Sequence, residues 1–185
     1  AVVYAMGTRD YRRVLAYSLV GQVGYMVCSI GAGGELGASG AAAHAFMHVL
    51  YKSLLFMAAG AVFLQTGTAM GRTARGLWRK MPWTFRFAAV GAASIAALPL
   101  TNAFVSKAVI HQALVDAQGS WAHVAETALL IASAAAPLYV GLRFLWLAFD
   151  GDEESEATIE PAPLSQRLGM GATAFLCVLF GIWPG

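Results

Sequence analysis

Stretches without charge recur along this chain at about the spacing of a membrane thickness. Residues 14–34 hold no charged side chain, and residues 40–71 are apolar apart from His44, His48 and Lys52. Residues 87–106 are uncharged but interrupted by Pro99 and Asn102. Residues 127–142 are uncharged, with apolar character continuing past Arg143 to Phe149, and 168–185 form a last uncharged run. At 1.5 Å per residue, about 20 residues of helix cross a hydrocarbon layer of roughly 30 Å. The pattern predicts an all-α integral membrane fold of about five transmembrane helices, because open sheets would leave unpaired backbone in lipid.

The polar segments between the runs set an expected topology. Arg9, Arg12 and Arg13 precede the first full span, and Arg72, Arg75, Arg79, Lys80 and Arg86 surround the loop after the second. Between them a glycine-rich linker near 33–40 carries one acid, Glu35. The positive-inside rule puts both basic segments in the cytoplasm and the glycine-rich one outside, with Trp78 and Trp83 as interfacial anchors. Residues 150–163 carry six acids followed by Pro161 and Pro163 and read as a solvated tether. Its side depends on the stretch around Pro99. Two crossings joined at Pro99 put the tether outside; half a crossing completed by the 127–149 helix puts it inside.

Composition agrees with the pattern. Of 185 residues, 58% are hydrophobic and 12% charged, against about 25% charged in a soluble domain. Mean hydropathy is +0.63. A net charge of +2 gives no reason to expect a nucleic-acid partner. Cys28 and Cys177 both lie in apolar runs, so neither a disulfide framework nor a metal set is expected. Dinucleotide, phosphate and nucleophile-elbow motifs are lacking, and no cofactor is expected. The opening residues read as the tail of an apolar stretch, so the chain is expected to be a single membrane domain, 1–185, from a longer protein.

The chemistry lies in the exceptions. His44, His48 and Lys52 are spaced four apart, which puts them on one helical stripe, about 6 Å along the axis from one to the next. A charged lysine near mid-bilayer costs at least ~2.5 kcal/mol and is tolerated where it faces protein interior or water. Lys52 lies too deep in its run for easy snorkelling, and imidazoles one turn away can hold or pass a proton. The stripe therefore points to a proton relay. His44 lies nearer the boundary, where a structural role is equally open, and two histidines without a nearby carboxylate make a poor metal site. Pro99 breaks its helix, and broken helices at membrane depth line polar cavities. Lys107, eight residues beyond with Asn102 and Ser106 nearby, suits a hydrated proton site. His111, one turn further, either continues the path or reaches solvent. Glu126 and His123 read as interfacial, and Arg143 as a snorkelling residue or the partner of an acid in a neighbouring subunit.

Three stretches together carry a family resemblance: Arg12–Tyr25 with its LAYS-x3-QxGY run, the H-x3-H-x3-K stripe of 44–60, and the Pro-to-Lys segment 97–107. From about residue 8 to 147 the chain resembles the antiporter-like subunits shared by Mrp-type Na⁺/H⁺ antiporters and the membrane arm of respiratory complex I. Its tone is most similar to the D type of the Mrp group. The resemblance implies half of an inverted-repeat transporter fold, with Lys107 on a discontinuous helix, Lys52 as the central lysine and His44 and His48 bridging. It favours one broken span over 105–149, hence an acidic loop on the same side as the basic ones. Many relatives carry a second proline and a Gly-Phe pair where this chain has Leu100 and Ala103-Phe104. The implied function is a proton-conducting subunit of a monovalent cation (Na⁺)/proton antiporter in a bacterial inner membrane, with other membrane subunits as partners. The alternatives are a proton-translocating subunit of complex I or a membrane-bound hydrogenase, and a scaffold that moves no ions.

Overall fold

The computed structural model describes residues 2–70, 76–117, 120–150 and 159–183, with side chains for all of these except 2, 120 and 132–136. Arg72, Arg75 and the acidic core of the tether, 151–158, lie outside the described residues. Eight helices are seen among the described residues: α1 (Val2–Gly7), α2 (Tyr11–Ala32), α3 (Gly34–Thr66), α4 (Leu77–Lys80), α5 (Pro82–Ile95), α6 (Asn102–Asp116), α7 (Ser120–Phe149) and α8 (Leu164–Ile182).

Local chemistry sets the boundaries. Asp10 caps α2 by accepting from the backbone N–H groups of Arg12 (2.9 Å) and Arg13 (3.3 Å). Replacing Asp10 by alanine is expected to cost about 0.5–2 kcal/mol, read as a lower Tm of the purified protein. Gly33, at φ 78°, turns the chain straight from α2 into α3. The glycine-rich stretch expected as a linker is therefore mostly helix: α3 starts at Gly34, and its glycines allow close packing. The carbonyl of Ser29 lies where a Cβ on Gly37 would go, and the Ser29 hydroxyl donates to Gly37 O at 2.7 Å. Gly67, at φ 69°, ends α3 by donating its N–H to Phe63 O at 2.8 Å. Pro82 opens α5, where the missing N–H costs nothing.

Helices α2, α3 and α8 are each long and apolar enough to cross a membrane. At about 45 Å, the 30 residues of α7 also exceed the hydrocarbon thickness. The fifth crossing is the pair α5 and α6, of 14 and 15 residues, joined through the break at 96–101. The expectation of one broken span over 105–149 is corrected here. The discontinuity joins α5 to α6, because Pro99 and the positive φ of Ala97 (55°) and Leu100 (70°) stop α5 inside the bundle. Helix α7 is a separate element.

The loop contacts give the ends of the bundle. Tyr11 N donates to Ala69 O (3.3 Å), Arg143 Nη2 to Thr8 O (2.9 Å) and Glu160 N to Gln65 Oε1 (3.2 Å). The starts of α2 and α8 and the ends of α3 and α7 thus share one end, and the described flanks of the acidic tether lie beside the basic segments. Arg143, expected to snorkel or to pair with a neighbouring subunit's acid, here ties α7 to the turn before α2. Trp78 and Trp83 lie under Arg79 and Arg86, with guanidinium carbons 4.6 and 5.0 Å from the ring centres. Val20, Val23, Val27 and Ile30 form an exposed apolar stripe on α2, as a lipid-facing surface requires. Helix α3 runs through the middle, packed by α2, α5, α6 and α8.

Candidate functional site: a buried file of polar side chains

Lys52 lies 18 residues after Gly34 and 14 before Thr66, near the centre of α3. Its side chain is 4% exposed and points at α2, donating to Leu15 O at 3.1 Å and to the Ser18 hydroxyl. Ser18 in turn donates to Leu15 O at 2.7 Å. Among the described residues its partners are neutral dipoles, with no carboxylate in contact.

One turn along the stripe, His48 is buried between neighbouring rings. It stands 5.4 Å from Tyr51 edge-on and 6.3 Å from His44, stacked. His48 Nε2 is buried without a hydrogen-bond partner among the described residues. His44, fully buried, has both nitrogens engaged: Nδ1 lies 2.9 Å from Ser106 Oγ of α6, and Nε2 lies 3.2 Å from Gln22 Oε1 of α2. Tyr51 Oη donates to the same Gln22 oxygen at 3.0 Å. The position of His44 is thus a buried junction between three helices.

Beyond the break, Asn102 anchors the start of α6 by donating Nδ2 to Met47 O at 3.1 Å. Its Oδ1 is buried and unpaired among the described residues, as is Ser94 Oγ. Lys107 donates to Ile95 O at 3.3 Å, a carbonyl freed where α5 stops, and its ammonium sits 5.1 Å from the Tyr25 ring centre. The structure brings the predicted relay residues together, with His111 reached from Lys107 through a shared cavity. Lys107 and His111 line one cavity of about 540 Å³ between α6 and α7, with Tyr25, Leu114 and Leu129 in its walls. His111 Nε2 is 3.1 Å from Glu126, which also lies 3.7 Å from His123. His111 thus shares a cavity with Lys107 and pairs with an acid on α7.

Sequence reasoning missed Ser18, Gln22 and Tyr51 as members of this file. A signal existed: Ser18 and Gln22 are spaced four apart on one face of an otherwise apolar span, as His44 and His48 are. Sequence reasoning also missed that Glu126, expected to be interfacial, partners His111.

These features define a polytopic membrane protein whose interior holds a buried row of polar and ionisable side chains. Residues 1–132 match the family described as NADH:quinone oxidoreductase/Mrp antiporter, TM, and the chain belongs to that family. It is 36% identical over 159 residues to NADH-quinone oxidoreductase subunit L of Pseudomonas aeruginosa, a match covering 83% of this chain and 24% of that protein. Its fold superposes with TM-score 0.87 on a chain of the membrane-bound sulfane sulfur reductase, an archaeal respiratory membrane complex. Identity there is 31%, over 100% of this chain and 30% of that one. It superposes with TM-score 0.80 on a chain of the Mrp complex from Dietzia sp., at 35% identity over 97% and 19%. The chain thus spans about a quarter of the curated relative's length. The relatives named here include a subunit of an NADH-quinone oxidoreductase and chains of two membrane complexes.

Proposed function

We propose that this chain is the proton-conducting part of an antiporter-like subunit, exchanging H⁺ for a monovalent cation, Na⁺ in the first instance, across a bacterial inner membrane. In this reading residues 1–185 form one repeat of an inverted-repeat subunit, of the Mrp D type, and 150–163 is its cytoplasmic tether. The observation that carries it is the buried file itself. Lys52 and Lys107 lie at the two ends of a row in which His48, His44 and Ser106 stand between them, all shielded from lipid. A scaffold that moves no ions has no use for two lysines held this way, since each costs insertion energy that an apolar residue would not.

Protons would pass between Lys52 and Lys107 through His48, His44 and Ser106, with Asn102 and Pro99 holding the break open and His111 leading out from Lys107. The ammoniums repel each other in a medium that screens poorly, so a proton arriving at one end favours release at the other. Identity to subunit L of an NADH-quinone oxidoreductase over most of the chain favours a second reading, in which redox chemistry elsewhere in a complex drives the same row.

Lys107→Ala in the complete complex, in inverted vesicles with a pH-sensitive dye, is expected to lower proton flux by about tenfold or more, the loss of one proton-transfer group. Undiminished flux would overturn the reading. A Na⁺ pulse alone driving flux in the wild type selects the antiporter; flux that needs an oxidisable donor selects the redox complex.

A further inference from the structure

Gln22 lies outside the lysine and histidine row, yet it is placed to decide what the row can do. Its Oε1 meets two groups, Tyr51 Oη at 3.0 Å and His44 Nε2 at 3.2 Å. Gln22 is buried and Tyr51 fully so. A side-chain amide presents either its oxygen or its NH₂ to such neighbours, and the two choices have opposite consequences for the imidazole. Tyr51 resolves the choice. Its hydroxyl proton is sealed from water and has the Gln22 oxygen as acceptor; turning the amide over would leave that proton buried and unpaired, an expensive outcome.

With the oxygen inward, His44 must carry its proton on Nε2 to donate to it. Nδ1 is then a bare acceptor facing Ser106 Oγ at 2.9 Å. Ser106 has one proton and two candidate acceptors, His44 Nδ1 and Ala103 O at 3.3 Å. A bare Nδ1 takes that proton. The reversed amide would give the other self-consistent set: His44 protonated on Nδ1 and donating to Ser106, with Ser106 donating to Ala103 O.

We infer that Gln22, oriented by Tyr51, is a positioning residue that holds His44 as the Nε2–H tautomer and so makes Nδ1, on the α6 side, the port through which the ring takes up and releases protons. An amide oxygen accepts a hydrogen bond but is far too weak a base to carry the proton on, so the Nε2 proton stays in place while Nδ1 exchanges. Uptake is balanced at Ser106: its hydroxyl proton passes to Nδ1, forming imidazolium, as a proton from the Lys107 side replaces it on the oxygen. When imidazolium forms, Nδ1–H donates to Ser106, whose own proton turns to Ala103 O. Release reverses these moves. The inference rests on the relay reading and narrows it: a proton that enters His44 from Ser106 leaves by the same nitrogen, so onward exchange with His48 also runs from Nδ1.

The test is solid-state ¹⁵N NMR of the complete complex with ring-labelled histidine, the His44 signals being assigned by difference against His44→Ala. The wild type is expected to show a protonated Nε2 and a bare Nδ1. Gln22→Met removes the acceptor and is expected to give a mixture of tautomers, with proton flux down by about tenfold, the worth of one buried hydrogen bond. Gln22→Glu keeps an acceptor at the same place and is expected to keep the Nε2–H tautomer. A wild type protonated on Nδ1, or a tautomer unchanged in Gln22→Met, would overturn the inference. Should Gln22→Met fail to assemble, the wild-type and Gln22→Glu spectra decide it. Failure of the relay reading looks different: His44→Ala would then transport as the wild type does, whatever the tautomer.

Discussion

Lys52→Met is expected to abolish proton transport, by about a hundredfold or more, while leaving the complex assembled. Methionine matches the length and flexibility of the lysine stem, so the hole it must fill is nearly unchanged. The groups it abandons are not stranded, since Ser18 still donates to Leu15 O. What disappears is the group proposed to exchange protons at the centre of α3. A sharper variant is Lys52→Arg. Guanidinium keeps the positive charge but does not release its proton in a protein. If the site needs only a cation, arginine restores function; if it needs a group that gives up its proton, arginine is as dead as methionine. Dye-monitored flux in vesicles, with native gels as the control for assembly, separates the two. Transport retained by the arginine variant would sink the relay.

The reason Lys52 should matter so much lies in its surroundings. A lysine with an acid partner would be a fixed ion pair, and losing it would strand a buried carboxylate. Here the partners are a serine hydroxyl and a backbone carbonyl. Neither fixes the charge state, and both tolerate a neutral amine, which can itself accept the serine proton. Lys107 has the same character, held by Ile95 O and the face of Tyr25. Among the described residues neither lysine has a carboxylate partner, which suits the proton exchange proposed for both.

Much of this was legible in the sequence, and the rest was hidden for identifiable reasons. The stripe of His44, His48 and Lys52 could be read directly, because four-residue spacing forces one helical face whatever the tertiary fold. The break could be placed at Pro99 for an equally local reason. Which helices flank it could not be read from charge, since the uncharged run 87–106 passes through the break without a mark. The family pattern suggested 105–149; packing assigned the role to α5 and α6. The glycines of 33–40 suggested a loop because glycine is a poor helix former, yet against Ser29 and α6 their lack of a side chain is what packing requires. Least legible were the contacts of Gln22, 22 residues from His44 in the chain, and of Glu126 with His111, which only the assembled bundle creates.

The break should also be the most fragile point of the fold, and Gly181→Ala is the variant expected to show it. Gly181, near the end of α8, lies against the backbone of the break: a Cβ there would overlap the carbonyl group of Leu100 and reach the carbonyl carbon of Thr101. None of these atoms belongs to a side chain that could rotate aside. Leu100 already sits at φ 70° and Ala97 at φ 55°, conformations that cost a non-glycine residue roughly 1–2 kcal/mol each. They persist because local bonds hold them, with Leu98 N donating to Ala93 O (3.0 Å) and Thr101 Oγ1 to Leu98 O (2.6 Å). A methyl group pressed into this segment either pushes α8 away or moves Leu100 and Thr101, and with them Asn102 and the start of the helix that carries Lys107. Overpacking of this kind costs about 1–3 kcal/mol or more. The expected results are a lower Tm for the purified complex and reduced proton flux in what remains folded. Gly169→Ala on the same helix is the control, because its Cβ would meet only the Met57 sulfur, at 3.9 Å. Equal stability and flux in the two variants would show that the break does not depend on α8 for its shape.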